Sequence, residues 1–276
     1  MPYSELWDYD FFVDYSDDDI WKTHNSDTHF HRSYEIYYLV ENEINYFIDD
    51  SVYHIIPGTL MVIPPNKIHT TRSINEKIRK RFLINLPETY IEDSIRLQPD
   101  ILSTLPMYPI LFKDSDQIKI TQLFKILLKE YKAEKQNLLM IKSLLSVLLV
   151  YITRQGALSP TKSGNNIKIA KKMLHIVNYI NENFQNDITL DSLSKKFYLN
   201  SSYISRTFKK ELNISFSEYL RTVRIRAACK MLITTNLNVT EISDKAGFKS
   251  CTDFCRVFKS TLKRSPLQYR RDYQMK

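Results

Sequence analysis

Hydrophobic and polar residues follow different periods in different parts of the chain. In the N-terminal half, four short segments rich in β-branched and aromatic residues are separated by Asn, Asp, Pro and Gly; they cover residues 34–40, 45–48, 52–56 and 59–63. This composition predicts β-strands, and short strands in close succession are typical of a barrel or a jelly roll. We therefore expect a β-barrel in this half.

Two helices are predicted after the strands. The first has apolar residues at the spacing i, i+3, i+4, i+7 and i+11, namely Ile120, Leu123, Phe124, Leu127 and Tyr131. The second, residues 138–152, is apolar at twelve of fifteen positions. Because it is shorter than the ~20 residues that span a bilayer, we expect a buried helix and no membrane partner.

A helix that is apolar nearly all round must be covered on two sides. We expect the helices within 116–154 to pack on the barrel with one face and to form a homodimer with another. The alternative is that both helices simply close their own barrel.

The C-terminal part contains an internal repeat. Ser-Arg-Thr-Phe-Lys at 205–209 returns as Cys-Arg-Val-Phe-Lys at 255–259, and Ser-Phe-Ser-Glu-Tyr at 215–219 returns as Ser-Pro-Leu-Gln-Tyr at 265–269. Each copy begins with a residue that caps helices, Thr189 or Asn238, and Glu241 completes a capping box in the second. The repeat therefore predicts two similar helical units.

Each unit has the pattern of a helix-turn-helix. In the second, Gly247 can adopt a positive φ and end the first helix, after which Ser250 or Thr252 opens the next. In the first, Tyr-Leu-Asn-Ser at 198–201 must form the bend without glycine. Residues 217–234 contain neither Gly nor Pro and predict a connecting helix of roughly 27 Å. Such a spacer could hold two recognition helices about one DNA turn, ~34 Å, apart.

Charge favours nucleic acid as the partner of these units. Residues 166–276 hold 21 Lys and Arg against 9 Asp and Glu, a net charge of +12, whereas residues 1–165 carry −4. So basic a domain attracts polyanions, although anionic membranes and acidic proteins also bind such surfaces. Gly, Pro, Ser and Asn are concentrated at 156–166, as in linkers. We predict a sensing domain at 1–155, a linker at 156–166 and a DNA-binding domain at 167–276.

The cysteines and the N-terminus indicate a cytoplasmic protein. Three cysteines, Cys229, Cys251 and Cys255, are an odd number without metal-ligand spacing, which fits reduced thiols rather than a disulfide framework. Cys229 and Cys255 are expected to be small buried residues. The first residues show no basic stretch followed by an apolar run, so we expect no signal peptide.

The repeat resembles the C-terminal signature of AraC/XylS-type transcriptional regulators. The resemblance spans residues 167–273 and is carried by Gly-Phe at 247–248, Phe-Cys-Arg-Val-Phe-Lys at 254–259, Ser-Pro at 265–266 and Tyr-Arg at 269–270. It implies double-stranded DNA as the partner. By position, phosphates would be contacted by Lys209 and Lys259, and base edges by Ser202, Ser205, Arg206, Cys251, Thr252 and Arg256. Either arginine could instead anchor a phosphate.

The chain also departs from the family at three positions. Asn213 and Lys263 stand where glycine is common after the recognition helix, and Asp253 stands where an aromatic residue is frequent. Asn tolerates the left-handed conformation that such positions require, and Lys tolerates it less well.

A histidine-rich pattern resembles the paired motifs of cupin barrels, the usual sensor domain of this family. It consists of His-Phe-His-Arg-Ser-Tyr-Glu at 29–35 and Pro-Pro-Asn-Lys-Ile-His at 64–69. On a strand, His29, His31 and Glu35 share parity and point to one face. With His69 they match the ligand positions of metal-binding cupins, and such a set is a sensible divalent metal site. Because sensor cupins look like small-molecule receptors and often lack the full set, we predict that these four residues line an effector pocket, and we assign them no metal. Two alternatives stay open: a bound divalent metal, and a vestigial pocket in which these side chains only satisfy one another.

The fold predicted is therefore α+β and multidomain: an N-terminal cupin-like β-barrel with two helices, then an all-α domain with two helix-turn-helix units. The function implied is a sequence-specific transcriptional regulator, an activator controlled by a small-molecule effector, with RNA polymerase as a further candidate partner. We expect no enzymatic activity, catalytic residue or cofactor. One alternative is a metal-dependent cupin enzyme tethered to nucleic acid by its basic domain. Another is a DNA binder without sequence preference.

Overall fold

The N-terminal strands form two antiparallel sheets. The structure is a computed structural model that describes residues 11–16, 28–49, 51–74, 79–158, 165–167, 171–212 and 214–274. Its strands are β1 (Phe12–Ser16), β2 (Tyr34–Glu41), β3 (Ile44–Ile48), β4 (Ser51–Ile55), β5 (Thr59–Ile63), β6 (His69–Ser73), β7 (Lys80–Leu86), β8 (Ile110–Leu111) and β9 (Asn165–Ile167). The first sheet has the order β1-β7-β2-β5-β8 and the second β6-β3-β4-β9. The four strands predicted from the sequence correspond to β2 to β5.

A shared core joins the two sheets. It contains side chains from both, namely Phe12, Tyr37, Leu39, Ile44, Tyr46, Ile55, Met61, Ile63 and Leu83. Within the described residues, no strand of one sheet pairs with a strand of the other. The predicted sheet-rich domain is confirmed, but its sheets are not closed into the expected barrel. At one end of each sheet the edge strand, β8 or β9, is only two or three residues long, which leaves little backbone for further pairing.

Helices cover the outer face of the first sheet. They are α1 (Glu92–Leu97), α2 (Asp114–Tyr131) and α3 (Leu138–Leu158). Ile36 and Tyr38, which alternate with the inward-facing residues of β2, pack with residues of α2 and α3 in a second core. The ring of Tyr38 stacks on Phe124 with centroids 5.3 Å apart. The two helices predicted after the strands are present in this position.

Only one side of α3 is buried. Ile141, Leu145 and Leu149 are buried at helical spacing, whereas Leu139 is 76% exposed and Val147 is 47% exposed. The predicted buried helix therefore has an open apolar face. By length and composition alone, Leu138–Ala157 would also be sufficient to cross a membrane.

The C-terminal part is helical. Its helices are α4 (Lys171–Asn183), α5 (Leu190–Phe197), α6 (Ser201–Thr207), α7 (Phe216–Thr234), α8 (Val239–Lys245), α9 (Cys251–Leu262) and α10 (Pro266–Gln274), and α6 continues as a π-helical turn over Phe208–Leu212. The predicted caps are present: the side chain of Thr189 accepts from the backbone N–H of Ser192, and that of Asn238 from Glu241. The predicted connecting helix is α7.

The N-terminal domain packs directly on this helical part. Phe30, Phe47 and Ile68 belong to the same buried cluster as the C-terminal helices. The rings of Phe47 and Tyr219 meet edge to face, with centroids 6.2 Å apart. β9, at the boundary expected from the sequence, adds a strand to β4.

Candidate nucleic-acid interface and histidine cluster

The first helix-turn-helix bends at a non-glycine residue. Tyr198 ends α5 with φ 53° and ψ 46°, in the left-handed region, while its side chain is 93% exposed. The backbone N–H of Leu199 donates to the carbonyl of Ser194 at 3.1 Å, and Asn200 caps α6 by accepting from the N–H of Ser202 at 2.8 Å. The Asn chemistry expected at this turn is present, but Tyr198 carries the positive φ.

The second unit uses glycine for the same bend. Gly247 has a φ of 83°, and the N–H of Phe248 donates to the carbonyl of Ser243 at 3.0 Å. Ser250 then caps α9 by accepting from the N–H of Asp253 at 3.1 Å. At the far end of α9, Lys263 adopts φ 57°, the left-handed conformation that was expected at this position from the resemblance described above. Its counterpart Asn213 lies outside the described residues.

Both recognition helices present a polar face to solvent. On α6 and its π-helical continuation, Ile204 and Phe208 are buried; on α9, Phe254 and Phe258 are buried. The opposite faces carry the residues predicted to meet DNA. Among these the exposed ones are Ser202, Ser205, Arg206, Lys209, Thr252, Arg256 and Lys259, and the half-buried one is Cys251. Their position on the outer face is compatible with the predicted contacts.

The two candidate base-contacting arginines are held differently. Nε of Arg206 donates to the carbonyl of Ser202, one turn earlier, at 3.3 Å. The guanidinium of Arg256 pairs with Asp253 at 2.5 Å, with both side chains largely exposed. Exposed pairs of this kind contribute ~0–1 kcal/mol, so Arg256 can leave Asp253 at little cost. Asp253, which stands where the resemblance predicts an aromatic residue, thus forms an ion pair with Arg256.

The cysteines differ in burial. Cys229 is buried as expected, whereas Cys255, expected to be buried, is only half-buried. Its position on α9 lies beside the exposed face rather than within the stripe of Phe254 and Phe258. Burial, with Cys251 close by, raises the pKa of the Cys255 thiol, which keeps it protonated and weakly nucleophilic.

The structure brings the four predicted pocket residues of the N-terminal domain together. The candidate ligand atoms of His29, His31, Glu35 and His69 all lie within 4.8 Å of one another. Nε2 of His31 is 3.3 Å from Oε2 of Glu35, and Nε2 of His69 is 3.6 Å from the same oxygen. Glu35 lies on β2 and His69 begins β6, to which His29 is paired by two backbone hydrogen bonds. We call these four residues the histidine cluster.

Electrostatics keep the carboxyl of the histidine cluster charged. Burial acts to raise the pKa of Glu35, but the neighbouring His69 and His31 outweigh it and hold that pKa well below its usual value. The hydroxyl of Tyr46 donates to Oε1 of Glu35 at 2.5 Å. Burial and the nearby carboxylate raise the pKa of Tyr46 well above normal, so the phenol remains a donor. Sequence reasoning missed Tyr46 because it lies on a predicted strand among other aromatic residues.

Two polar contacts near the histidine cluster connect the domains. Nε of Arg32 donates to the hydroxyl of Tyr269 at 2.8 Å, and the guanidinium lies 4.0 Å from the centroid of that ring. Asp49, in the turn after β3, accepts from Arg226 of α7 at 2.9 Å. Neither contact could be found by sequence reasoning, because the partners are 237 and 177 positions apart.

Two family models match the chain. An AraC-like ligand binding domain matches residues 18–149, and a helix-turn-helix domain matches residues 193–272.

Individual relatives match over different lengths. The HTH-type transcriptional regulator YfiF of Bacillus subtilis is 24% identical over 91% of this chain and 81% of its own length, and YdiP of Escherichia coli is 27% identical over 94% and 85%. Among solved structures, the C-terminal domain of the two-component response regulator yesN from Fusobacterium nucleatum is 36% identical, with a TM-score of 0.35, and covers 37% of this chain and 99% of that one.

Proposed function

This chain belongs to the AraC/XylS-type transcriptional regulators, and on that basis we propose that a small-molecule effector bound in its N-terminal domain controls how its C-terminal domain binds DNA. The observation that carries the proposal is the repeated unit, since two helix-turn-helices in one chain each expose a polar, mainly basic helix face. Because its relatives are HTH-type transcriptional regulators, we propose no catalytic role, and we place the protein in the cytoplasm with DNA.

The proposed DNA contacts divide between positioning and base recognition. Lys209 and Lys259 carry flexible point charges at matching positions of the two units and are assigned to phosphates. Arg206 and Arg256 carry planar guanidinium groups, which can bind guanine through two hydrogen bonds, and are assigned to base edges. They are joined in that role by Ser202, Ser205, Cys251 and Thr252. α7 has 19 residues, or roughly 28 Å, which suits two units in successive major grooves.

We also propose that the chain forms a homodimer through α2 and α3. Between these helices lies an open groove lined by Leu123, Ile126, Val147 and Tyr151, together with the polar Lys119 and Gln122 and the buried Ile120. Ile118, which lies on α2, is 68% exposed. Apolar side chains that recur on neighbouring helices and remain exposed are typical of a surface that another chain covers. A dimer would offer four helix-turn-helix units to one operator. If the protein activates transcription, we propose that it contacts RNA polymerase bound beside that operator.

The proposal is tested by selecting duplexes from a randomised pool with the purified full-length chain at two salt concentrations. Sequence-specific binding should enrich two short submotifs about one helical turn, ~34 Å, apart. Their enrichment should persist at the higher salt, because base contacts depend on salt less than phosphate contacts do. If no submotif is enriched and binding collapses as salt rises, the chain is a DNA binder without sequence preference and the proposal fails.

A further inference from the structure

Two of the three cysteines lie together on the second recognition helix. Cys251 is the first residue of α9, and Cys255 follows four positions later. Residues four apart on a helix share a face, with their Cβ atoms ~5–6 Å apart. Their thiols interact, because the neighbouring thiol of Cys251 contributes, after burial, to raising the pKa of Cys255. Both side chains are half-buried, so a small ligand can reach the pair from solvent.

The surroundings hold the two thiols in place. Phe254 and Phe258 anchor α9 in the core and are fully buried. The hydroxyl of Thr240, on α8, donates to Sγ of Cys251 at 3.8 Å. A packed helix keeps its side chains at a fixed spacing, which is what a preorganised binding site requires.

The helical spacing favours a bridging ion over a disulfide. A disulfide needs Cβ atoms ~3.5–4.5 Å apart and a sulfur–sulfur bond of ~2.05 Å. The ~5–6 Å between Cβ atoms on a helix is too wide for this unless the first turn of α9 unwinds. An ion between the sulfurs adds two bonds of ~2.3 Å each, as in zinc thiolates, and therefore joins the two side chains without unwinding the helix.

Two sulfurs without further ligands favour a soft ion of low coordination number. Thiolates select copper(I) and zinc among the common metals. Structural zinc sites take four protein ligands. Among the described residues, however, the only group of three or more His, Cys, Asp or Glu side chains with metal-ligand spacing is the histidine cluster. Copper(I) is satisfied by two thiolates, so it fits the pair better than zinc does.

We propose that Cys251 and Cys255 bind one copper(I) ion between their sulfurs, and that the bound ion weakens the DNA contacts of the second helix-turn-helix. Each thiol releases its proton to solvent as its copper–sulfur bond forms, and no electron is transferred because the copper stays as copper(I). One ion of charge +1 and two thiolates leave a net charge of −1 where two neutral thiols stood. The positive N-terminal end of α9 favours this charge, whereas DNA phosphates repel it.

The first helix-turn-helix lacks such a site. Its corresponding positions, fifty residues earlier, carry Ser201 and Ser205, and hydroxyl oxygens are poor ligands for a soft ion. Copper(I) should therefore act on the part of the operator that α9 contacts and spare the part that α6 contacts. This consequence for DNA rests on the proposed function, whereas the copper site does not.

Copper content tests the site directly. The purified full-length chain is kept reduced and anaerobic with a reductant that is not a thiol, incubated with copper(I), desalted in the presence of the copper(I) chelator bicinchoninate and analysed by elemental mass spectrometry. We expect Cys251→Ser and Cys255→Ser each to retain one ion fewer per chain than the wild type. The matched control is Cys229→Ala, a buried cysteine on α7, which should retain as many ions as the wild type. Circular dichroism shows that each variant is folded.

Either of two results would overturn the copper site. One is an equal copper content in the wild type and both serine variants. The other is a loss of copper in only one of the two serine variants, because an ion bridged between the sulfurs needs both of them.

DNA affinity tests the second part of the inference. Copper(I) should weaken binding of the wild type to a selected duplex by about tenfold, the scale of one lost base contact. Cys255→Ser, which replaces a residue without an assigned DNA contact, should bind that duplex like the wild type and keep its affinity when copper(I) is added. If copper(I) leaves the affinity of the wild type unaltered, the effect on DNA is wrong although the copper site stands. If the chain selects no DNA sequence, the proposed function fails, and the copper content is unaffected.

Discussion

Gly247→Ala should destabilise the second helix-turn-helix strongly. The glycine has φ 83°, and residues with a side chain pay ~1–2 kcal/mol in the left-handed region. An added Cβ would lie 2.7 Å from the carbonyl oxygen of Phe184 and 2.8 Å from that of Gln185. Both are backbone atoms just after α4, so they cannot move aside as a side chain would, and forcing a methyl group into such a site costs ~1–3 kcal/mol. Gly247→Ala should therefore lower the free energy of unfolding by ~2–5 kcal/mol, whereas the free energy of unfolding of a whole domain is ~5–15 kcal/mol.

Denaturant unfolding followed by circular dichroism measures this loss in the full-length chain. A matched control is Tyr198→Gly, at the corresponding bend of the first unit. Because the Tyr198 side chain is 93% exposed, the change removes left-handed strain and little packing. The greater freedom of glycine in the unfolded chain opposes this gain, so stability should change by less than ~1 kcal/mol. If Gly247→Ala unfolds within ~0.5 kcal/mol of wild type, the inferred bend and its contact with α4 are wrong.

Three further predictions concern DNA, subunits and capping. Lys209→Ala should weaken binding to every duplex alike and make the affinity less dependent on salt, whereas Arg206→Ala should also lose ~1–3 kcal/mol of discrimination at one base pair. Titration with matched and mismatched duplexes distinguishes the two effects. If Arg206→Ala loses the same affinity on every sequence, Arg206 does not contact a base. Val147→Glu should shift the sedimenting species from dimer to monomer, and an unchanged dimer would place the interface elsewhere. Ser215 caps α7 in a capping box, in which its hydroxyl accepts from the backbone N–H of Glu218 at 3.3 Å and the Glu218 carboxylate accepts from the backbone N–H of Ser215 at 3.0 Å. Ser215→Ala should therefore lower the free energy of unfolding by ~1 kcal/mol. The hydrogen bonds from Ser215 lower the pKa of Glu218 in the folded chain. The stability that Glu218 contributes to the capping box is therefore present above the usual carboxyl pKa of ~4.3 and is lost as the pH falls through the folded pKa. The cost of Ser215→Ala should then become smaller in acid, and a cost that does not depend on pH would contradict this.

Local patterns determined what could be predicted of the fold. The caps at Thr189 and Asn238 and the bend at Gly247 depend on residues close in sequence, so their chemistry could be inferred directly. The bend at 198–201 was also predicted, but not that Tyr198 carries its positive φ, since a tyrosine gives no local signal for that conformation. The prediction of a closed barrel was wrong, because closure depends on how far the edge strands extend. A strand of two residues such as β8 is too short to show a hydrophobic pattern in the sequence.

The members of the histidine cluster could be predicted from the sequence, and the predicted role of the cluster as an effector pocket stays a prediction. Parity on a strand and the cupin-like spacing selected His29, His31, Glu35 and His69, and the structure brings them together. The identity of the atoms that face each other depends on the carbonyls that hold Nδ1 of two rings. Such backbone contacts have no pattern in a sequence. The same is true of the contact between Arg32 and Tyr269, which connects the two domains.

Hydroxyl-radical footprinting of the full-length chain on a selected duplex tests most directly whether both helix-turn-helix units bind DNA as sequence-specific readers. We expect two protected patches on one face of the duplex, about one helical turn, ~34 Å, apart for each chain. Arg206→Ala should weaken one patch and Arg256→Ala the other. A single patch for each chain that both variants weaken equally, or uniform protection without defined edges, would contradict it.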